Sequence, residues 1–253
     1  MEKTAVASKL MRALYLSDLH FKEDPKSYVD AVDLVKSRSP DILLLGGDYE
    51  DLDMFKMFLR EAQKHVDAII LILGNNDPFT IKDVQISSRV IALDCDAVWL
   101  PKYDILILGI SRNVALRPRP YRRTLSDYIA CAKKLGSYSH LPFSWKVLLV
   151  HEVPTEIAEE AVKRRQIVKF QELICGTASD AVHIIDPDVV FVGHLHAGHM
   201  IVRKEGRPLF VLATWTIFRC YVECTFEKNF AEIVVRKYPS EEEVVEQVKI
   251  VKS

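Results

Sequence analysis

Short apolar runs alternate with segments of helical periodicity along the first third of the chain. The runs at 13–16, 42–45 and 68–73 have the length and the polar flanks of buried strands. In each segment between them, apolar residues recur at helical spacing on one face. These residues are Tyr28, Ala31, Val32 and Val35 in the first segment, and Phe55, Phe58, Leu59, Ala62 and Val66 in the second. Asp24 followed by Pro25 predicts the start of the first helix. The pattern predicts an α/β protein.

The second half of the chain predicts a change to strand-rich structure. Apolar runs at 103–110, 146–150 and 189–192 continue the series, and strands are predicted at 200–202, 208–213, 221–226 and 231–235. Ser240 and Glu243 form a capping box, so a final helix is predicted with Val244, Val248 and Val251 on one face. The stretch at about 111–145 is predicted to be an irregular, Arg-rich insert. We find no repeat or linker, and we expect residues 1–253 to form a single domain.

Charge and hydropathy argue against two broad classes of partner. The chain has 34 basic and 35 acidic residues and a net charge of −1. This balance gives no overall field for nucleic acid or an anionic membrane, so nucleic acid stays possible but not favoured. The apolar runs are far shorter than the ~20 residues of a membrane-spanning helix. We therefore expect a cytoplasmic protein with no membrane association.

The cysteine pattern predicts thiols and no disulfide framework. The five cysteines are an odd number, and no two are spaced as C-x-x-C. Cys220 and Cys224 are predicted on one strand, too far apart for a disulfide. We expect buried, reduced cysteines, as in a reducing compartment.

Residues whose side chains can bind metal ions follow the predicted strands. The set contains Asp18, His20, Asp48, Asn75, His151, His194 and His196. Carboxylate and imidazole are the common ligands of Mn, Fe, Ni and Zn, and a shared carboxylate can bridge two ions. The ends of parallel strands meet at one edge of a sheet, where ligands bind. In each of the motifs D-L-H and H-L-H, an extended backbone is expected to direct two side chains to the same side.

The five motifs D-L-H, G-G-D, G-N-N-D, H-E-V-P and G-H-L-H resemble, in this order, those of the calcineurin-like metallophosphoesterase family. They extend from Asp18 to His196, over most of the chain. The resemblance implies an αββα sandwich, in which two mixed sheets are flanked by helices. It also implies a metal-dependent phosphoric ester hydrolase, and we favour a phosphodiesterase acting on a small or exposed phosphoester.

The resemblance further implies a centre of two divalent ions, which are Mn, Fe, Ni or Zn. One ion is held by Asp18, His20, Asp48 and His196. The other is held by Asp48, Asn75, His151 and His194. Asp48 bridges the ions, and a bridging hydroxide attacks phosphorus in line.

Asn76 departs from the family pattern, which has histidine at this position. An amide donates a hydrogen bond but is no general acid near neutral pH. We expect Asn76 to take part in catalysis and in substrate binding without supplying a proton. His199 is an alternative proton donor. Arg112, which follows a predicted strand directly, is the candidate for binding the phosphate.

Two further interpretations stay open. The protein is alternatively a nuclease or a phosphomonoesterase of the same family. A third hypothesis is a non-catalytic, metal-binding interaction scaffold, because a retromer subunit of this fold also lacks the histidine at the Asn76 position. The complete set of ligand residues argues against the scaffold. The sequence does not indicate an oligomeric state.

Overall fold

The structure is a computed structural model that describes residues 9–112, 123–166, 176–206, 208–240 and 243–252. The strands are β1 (Met11–Leu16), β2 (Ile42–Leu45), β3 (Ala68–Leu71), β4 (Val90–Ala92), β5 (Asp96–Leu100), β6 (Ile105–Ile110), β7 (Trp145–Val150), β8 (Val189–Val192), β9 (His199–Arg203), β10 (Leu209–Ala213), β11 (Cys220–Phe226), β12 (Phe230–Lys237) and β13 (Val244–Val251). The helices are α1 (Pro25–Arg38), α2 (Leu52–Ala62), α3 (Ile81–Val84), α4 (Leu125–Gly136), α5 (Thr155–Lys163) and α6 (Gly176–Ile185).

The strands form two mixed sheets that pack face to face. The first has the order β13-β12-β11-β1-β2-β3-β4, and the second has the order β5-β6-β7-β8-β10-β9. The apolar side chains between them, such as Tyr15, Trp145 and Phe191, are completely buried. Other apolar clusters cover the two outer faces, where residues of α1 and α2 pack on the first sheet and residues of α4, α5 and α6 pack on the second. The predicted αββα sandwich is confirmed.

Parallel pairing determines where the candidate site lies. In the first sheet β1, β2 and β3 are parallel neighbours, and in the second β6, β7 and β8 are parallel neighbours. Parallel strands present their carboxyl ends along one edge, so the loops that follow them gather there. Every predicted ligand residue lies at or just beyond one of these strand ends.

The predicted C-terminal helix is wrong, because this segment forms strand β13. Ile233 of β12 pairs with Val248, and Ala231 pairs with Ile250. The side chains of Val248 and Ile250 then pack against the core between the sheets. Valine and isoleucine favour extended backbone, and pairing with the open edge of β12 outweighs the local capping signal.

The segment at 111–145 is less irregular than predicted. Residues 113–122, which include Arg117, Arg119 and Arg122, lie outside the described residues. Beyond them, α4 begins after Thr124, whose side chain accepts a hydrogen bond from the Asp127 backbone. Tyr128, Ala132 and Leu135 of this helix are buried against the second sheet. Their i, i+4, i+7 spacing was a readable helical signal.

The expectation of reduced cysteines is wrong for one pair. Cys95, which precedes β5, forms a disulfide with Cys131 of α4, and their Cα atoms are 5.1 Å apart. The separation of 36 positions in the chain hides this proximity from the sequence. Cys220 and Cys224 are free and buried on β11, as predicted, and Cys175 lies outside the described residues.

Two smaller features complete the fold. Asp24 lies at the N-cap of α1, but its side chain makes no capping hydrogen bond. Its carboxylate instead accepts a hydrogen bond of 2.6 Å from the guanidinium of Arg219. No helix among the described residues is long and apolar enough to cross a membrane.

Candidate metal centre

The predicted ligand residues lie in the loops that follow five strands of the two sheets. Asp18 and His20 follow β1, Asp48 follows β2 and Asn75 follows β3 in the first sheet. In the second sheet His151 follows β7 directly, and His194 and His196 follow β8. The structure brings carboxylates and imidazoles from both sheets to one place.

Neither histidine motif is extended, which corrects the sequence prediction. Asp18, His20, Asp48 and His194 have left-handed backbone, with φ values of 58°, 42°, 59° and 69°. This conformation is unfavourable for residues other than glycine, and it is concentrated at functional sites. Asp18 and His20 still lie in one ligand group, whereas His194 and His196 lie in different groups.

Two groups of candidate ligand atoms form the centre. The first contains Asp18, His20 and His196, and the second contains Asp48, His151 and His194. Within each group the ligand atoms lie within 4.8 Å of one another. The resemblance divides these six residues in the same way and in addition assigns Asp48 to the first ion and Asn75 to the second. A third group of possible ligands contains His20, Glu23 and Glu50. Asn75 follows β3, which pairs with the strand β2 that precedes Asp48. The Oδ1 atom of Asn75 is buried without a hydrogen-bond partner.

Asp48 lies between the groups. Its Oδ2 is 3.2 Å from Nε2 of His151 in the second group and 3.9 Å from Nε2 of His20 in the first. The side chain is completely buried. Both the backbone N–H and the side-chain amide of Asn76 donate to this carboxylate, at 2.9 Å each. A carboxylate in contact with both groups has the position that a bridging ligand requires.

The first group is held by short contacts within itself. Nε2 of His20 lies 3.0 Å from Nε2 of His196, and the two rings meet edge to face. Oδ1 of Asp18 lies 3.4 Å from Nε2 of His196 and accepts a hydrogen bond of 3.0 Å from the backbone N–H of His194. Three atoms that can ligate a cation therefore converge on one point.

The imidazole of His151 is oriented by a backbone carbonyl. Its Nδ1 lies 2.8 Å from the carbonyl oxygen of Gly46, which accepts a hydrogen bond from the protonated nitrogen. Nε2 is then directed towards the centre, and in the neutral ring its lone pair would have the arrangement in which a histidine binds a metal. Close packing holds this ring in place, since a Cβ on Gly193 would lie 2.6 Å from Nδ1 of His151.

Buried atoms without partners indicate what the centre binds. Asp18 Oδ2, Asn75 Oδ1 and His151 Nε2 are all buried and make no hydrogen bond. An unsatisfied buried polar atom is costly, and such atoms are rare. All three carry lone pairs and belong to the predicted ligand set. The residues fit divalent ions of the kind that nitrogen and oxygen ligands prefer.

The two central carboxylates are stabilised as anions. Burial by itself would raise the pKa of Asp18, but the hydrogen bond to His196 and the nearby charge of His151 lower it. Burial also opposes ionisation of Asp48, and the positive charge of His151 lowers that pKa. In return, burial lowers the pKa of His151, but the charge of Asp48 outweighs it and raises the pKa to about 10. The protein thus keeps negative charge where cations would bind.

Asp77 supports the centre in a way that the sequence did not reveal. Its Oδ1 accepts hydrogen bonds from the backbone N–H groups of Tyr49 and Glu50, at 2.6 and 2.9 Å. Its Oδ2 accepts from Asp48 and Gly74, at 3.0 and 2.7 Å. The buried side chain thereby joins the loops after β2 and β3. Burial, and then repulsion by Asp48, raises the pKa of Asp77 to about 6.

The remaining predicted residues are Asn76, Arg112 and His199. The side chain of Asn76 contacts Asp48, as described above. The guanidinium of Arg112 donates a hydrogen bond of 2.8 Å to the carbonyl of Phe79, in the loop that also carries Asn75 and Asn76. His199 begins β9, with Nδ1 3.9 Å from Sγ of Cys220. Burial lowers the pKa of His199.

The sequence as a whole identifies the family. A model of the calcineurin-like phosphoesterases matches residues 11–198. The chain belongs to this family. The resemblance seen in its motifs is confirmed, and the coarse activity of the family is that of a phosphoesterase. No curated protein matches the sequence.

Solved structures share the fold of this calcineurin-like phosphoesterase at low sequence identity. GAP50, the anchor in the inner membrane complex of Plasmodium, has a TM-score of 0.63 and 9% identity over 96% of this chain and 89% of its own. Vacuolar protein sorting 29 of Cryptosporidium parvum has a TM-score of 0.53 and 13% identity over 96% of this chain and 99% of its own. Phosphopantetheinyl hydrolase of Mycobacterium tuberculosis has a TM-score of 0.51 and 14% identity over 80% of this chain and 89% of its own. These similarities describe the fold alone.

Proposed function

We propose that the protein is a metal-dependent phosphodiesterase that holds two divalent ions in the centre described above. The observation that carries the proposal is the pair of ligand groups, with Asp48 in contact with both. A scaffold has no need for buried ligand atoms without partners. Maintaining them costs stability unless cations satisfy them.

The chain's own residues perform three tasks in this proposal. Asp18, His20 and His196 hold one ion, Asn75, His151 and His194 hold the other, and Asp48 holds both. When bound, two such ions supply an activated water and offset the charge on the phosphoryl oxygens. Asn76 adds an amide donor beside Asp48, the place at which a phosphoryl oxygen would lie. It supplies no proton to the leaving group.

The substrate in this proposal is a small or exposed phosphoester. Arg112 lies beside the loop that carries Asn75 and Asn76, and its guanidinium already binds the carbonyl of Phe79. From this place it would support the loop and approach the phosphate. The preference for diesters rests on analogy, since Asn76 resembles the variants of the family that lack a histidine at this position.

Metal add-back and substitution of Asp48 test the proposal together. Metal-free protein is assayed with Mn, Fe, Ni or Zn on bis(p-nitrophenyl) phosphate and on p-nitrophenyl phosphate. We expect turnover that depends on the metal and is faster on the diester. We expect Asp48→Asn to lose bound metal and at least ~10³-fold in rate, because both ions lose a charged ligand.

The control is Asp53→Asn, which removes an exposed carboxylate of α2 and should change neither property. If Asp48→Asn kept two ions at full stoichiometry, the assignment of the centre would be wrong. A wild type that bound two ions but hydrolysed no ester would support the interaction scaffold instead.

A further inference from the structure

The carboxylate of Glu50 lies against His20 on the side of the ring that faces away from the first ligand group. Nδ1 of His20 is 2.7 Å from Oε1 of Glu50, whereas Nε2 is 3.0 Å from Nε2 of His196. The side chains of His20 and Glu50 are 3% and 12% exposed. One ring nitrogen thus faces the candidate ligands, and the other faces a nearly buried anion.

The backbone holds Glu50 in this place under strain. Its φ is 67°, a left-handed conformation that favours glycine. Its N–H donates to Oδ1 of Asp77 at 2.9 Å, which links it to the same support as Asp48. Oε2 of Glu50 is buried and makes no hydrogen bond. Such strain is typical of functional sites.

We propose that Glu50 is a positioning residue for the first metal. Its carboxylate accepts a hydrogen bond from Nδ1 of His20, which fixes the ring and its tautomer and leaves the lone pair of Nε2 free for the cation. A carboxylate behind a ligating histidine also increases the basicity of the ring. The inference rests on the proposed metal-dependent function and adds a residue that none of the family motifs contains.

The effect is specific to one of the two groups. His151, in the second group, has its Nδ1 against the neutral carbonyl of Gly46. In the first group, with Asp18, His20 and His196, the Glu50 carboxylate lies behind His20. The binding of one ion should therefore depend on Glu50, and the binding of the other should not.

Calorimetric titration of metal-free protein with Mn²⁺ measures this difference. We expect Glu50→Ala to weaken one of the two binding steps by about 10–100-fold and to leave the other step unchanged. Glu50→Gln should retain most of the affinity, because the amide oxygen still accepts the hydrogen bond from Nδ1. Glu50→Asp keeps the charge but withdraws the carboxylate from the ring, so it should lose affinity as Glu50→Ala does.

Glu23 provides a matched control within the chain. Its carboxylate lies 4.0 Å from the same nitrogen of His20, but the side chain is 69% exposed. Glu23→Ala should bind both Mn²⁺ ions as the wild type does. If a nearby negative charge were all that mattered, Glu23→Ala and Glu50→Ala would weaken binding alike, and the proposal would be overturned.

Other outcomes are equally decisive. Wild-type affinity for both ions in Glu50→Ala, or an equal loss in both steps, would overturn the positioning role. If Glu50→Ala does not fold, Glu50→Asp decides the question by the same criteria. A wild type that bound none of Mn, Fe, Ni and Zn would refute the proposed function itself, a result distinct from the failure of the Glu50 inference.

Discussion

Asn76 is the residue at which the protein departs from its family, and the structure shows what replaces the expected proton donor. Its side-chain amide donates to Oδ2 of Asp48 at 2.9 Å. Since an amide cannot protonate a leaving group, the rate should depend steeply on the leaving group's pKa. The proposed enzyme would then favour esters whose leaving groups are stable as anions.

Asn76→His should therefore flatten this dependence. A positioned general acid is worth about 10²–10⁴-fold, or ~3–5 kcal/mol of barrier, and it acts most on poor leaving groups. Alkyl diesters should gain much more than p-nitrophenyl diesters. Rates for a graded series of diesters at one pH measure the slope for both proteins. Asn76→Gln should keep the wild-type slope, and a wild type with a shallow slope would mean that another group supplies the proton.

Asp77 holds two loops together, so its replacement should lower the stability of the protein. Its two oxygens accept four backbone N–H groups from the loops after β2 and β3. In Asp77→Asn one oxygen becomes an NH₂ group, which faces two of these donors. Two buried N–H groups then lose their acceptor, at about 1–3 kcal/mol each.

We expect Asp77→Asn to lower the free energy of unfolding by about 2–5 kcal/mol in urea. Asp83→Asn is the matched control. The Asp83 carboxylate accepts from the backbone and hydroxyl of Thr80 on the surface, where water can replace it. Its loss should be below about 1 kcal/mol. Equal losses in the two variants would contradict the role assigned to Asp77.

The candidate ligands could be predicted from the sequence, whereas their supporting residues could not. Asp18, Asp48 and His151 stand at strand ends within motifs whose residue types indicate metal binding. Glu50 lies outside these motifs, and Asp77 ends the G-N-N-D motif without being a predicted ligand. The importance of both residues comes from burial and from contacts with atoms distant in sequence. Only the folded chain brings the Asp77 carboxylate to the Tyr49 backbone, 28 residues away.

At the scale of elements, buried strands were predicted better than edges. Runs such as 42–45 and 189–192 are apolar throughout because helices or a second sheet cover both faces. The edge strand β13 was mistaken for a helix because its apolar residues satisfy both periods. Val244, Val248 and Val251 have helical spacing, but Val245, Val248 and Ile250 are the residues that pack against the core. The segment forms a strand and not a helix because it pairs with the open edge of β12.

The disulfide is an element-scale feature with its own test. Cys131 of α4 is bonded to Cys95, and Lys134 also donates to the Cys95 carbonyl at 2.8 Å. In Cys131→Ser the helix keeps the hydrogen bond from Lys134 to Cys95. The principal loss is therefore the restriction that the disulfide places on the conformations of the unfolded chain. For a separation of 36 residues we expect about 2–4 kcal/mol.

Urea unfolding with and without dithiothreitol measures this loss. Dithiothreitol should destabilise the wild type and leave Cys131→Ser unchanged. Cys220→Ser, which alters a free cysteine, should keep the sensitivity to dithiothreitol. A wild type that is insensitive to the reductant would show that the disulfide is absent or makes no contribution.

At the scale of the whole molecule, the candidate centre joins the two sheets. Asp18, Asp48 and Asn75 follow strands of the first sheet, and His151 and His194 follow strands of the second. An ion held by either ligand group would be a bond between the sheets. Without ions, the buried carboxylates repel each other and several ligand atoms lack partners. Metal binding should therefore stabilise the complete fold.

We expect Mn²⁺ at 100 times its dissociation constant to add about 2.7 kcal/mol per site to the free energy of unfolding. For a protein of this size, that raises the melting temperature by about 5–10 °C. Calorimetry of metal-free protein with and without Mn²⁺ measures the shift, and Asp48→Asn should lose most of it. Hydrogen exchange distinguishes a link between sheets from a local effect. On addition of Mn²⁺, the protection of backbone amides from exchange should rise in the loops after β1, β2 and β3. It should rise equally in the loops after β7 and β8. Protection confined to one sheet would contradict a shared centre, because an ion held by ligands of both sheets cannot order one without the other.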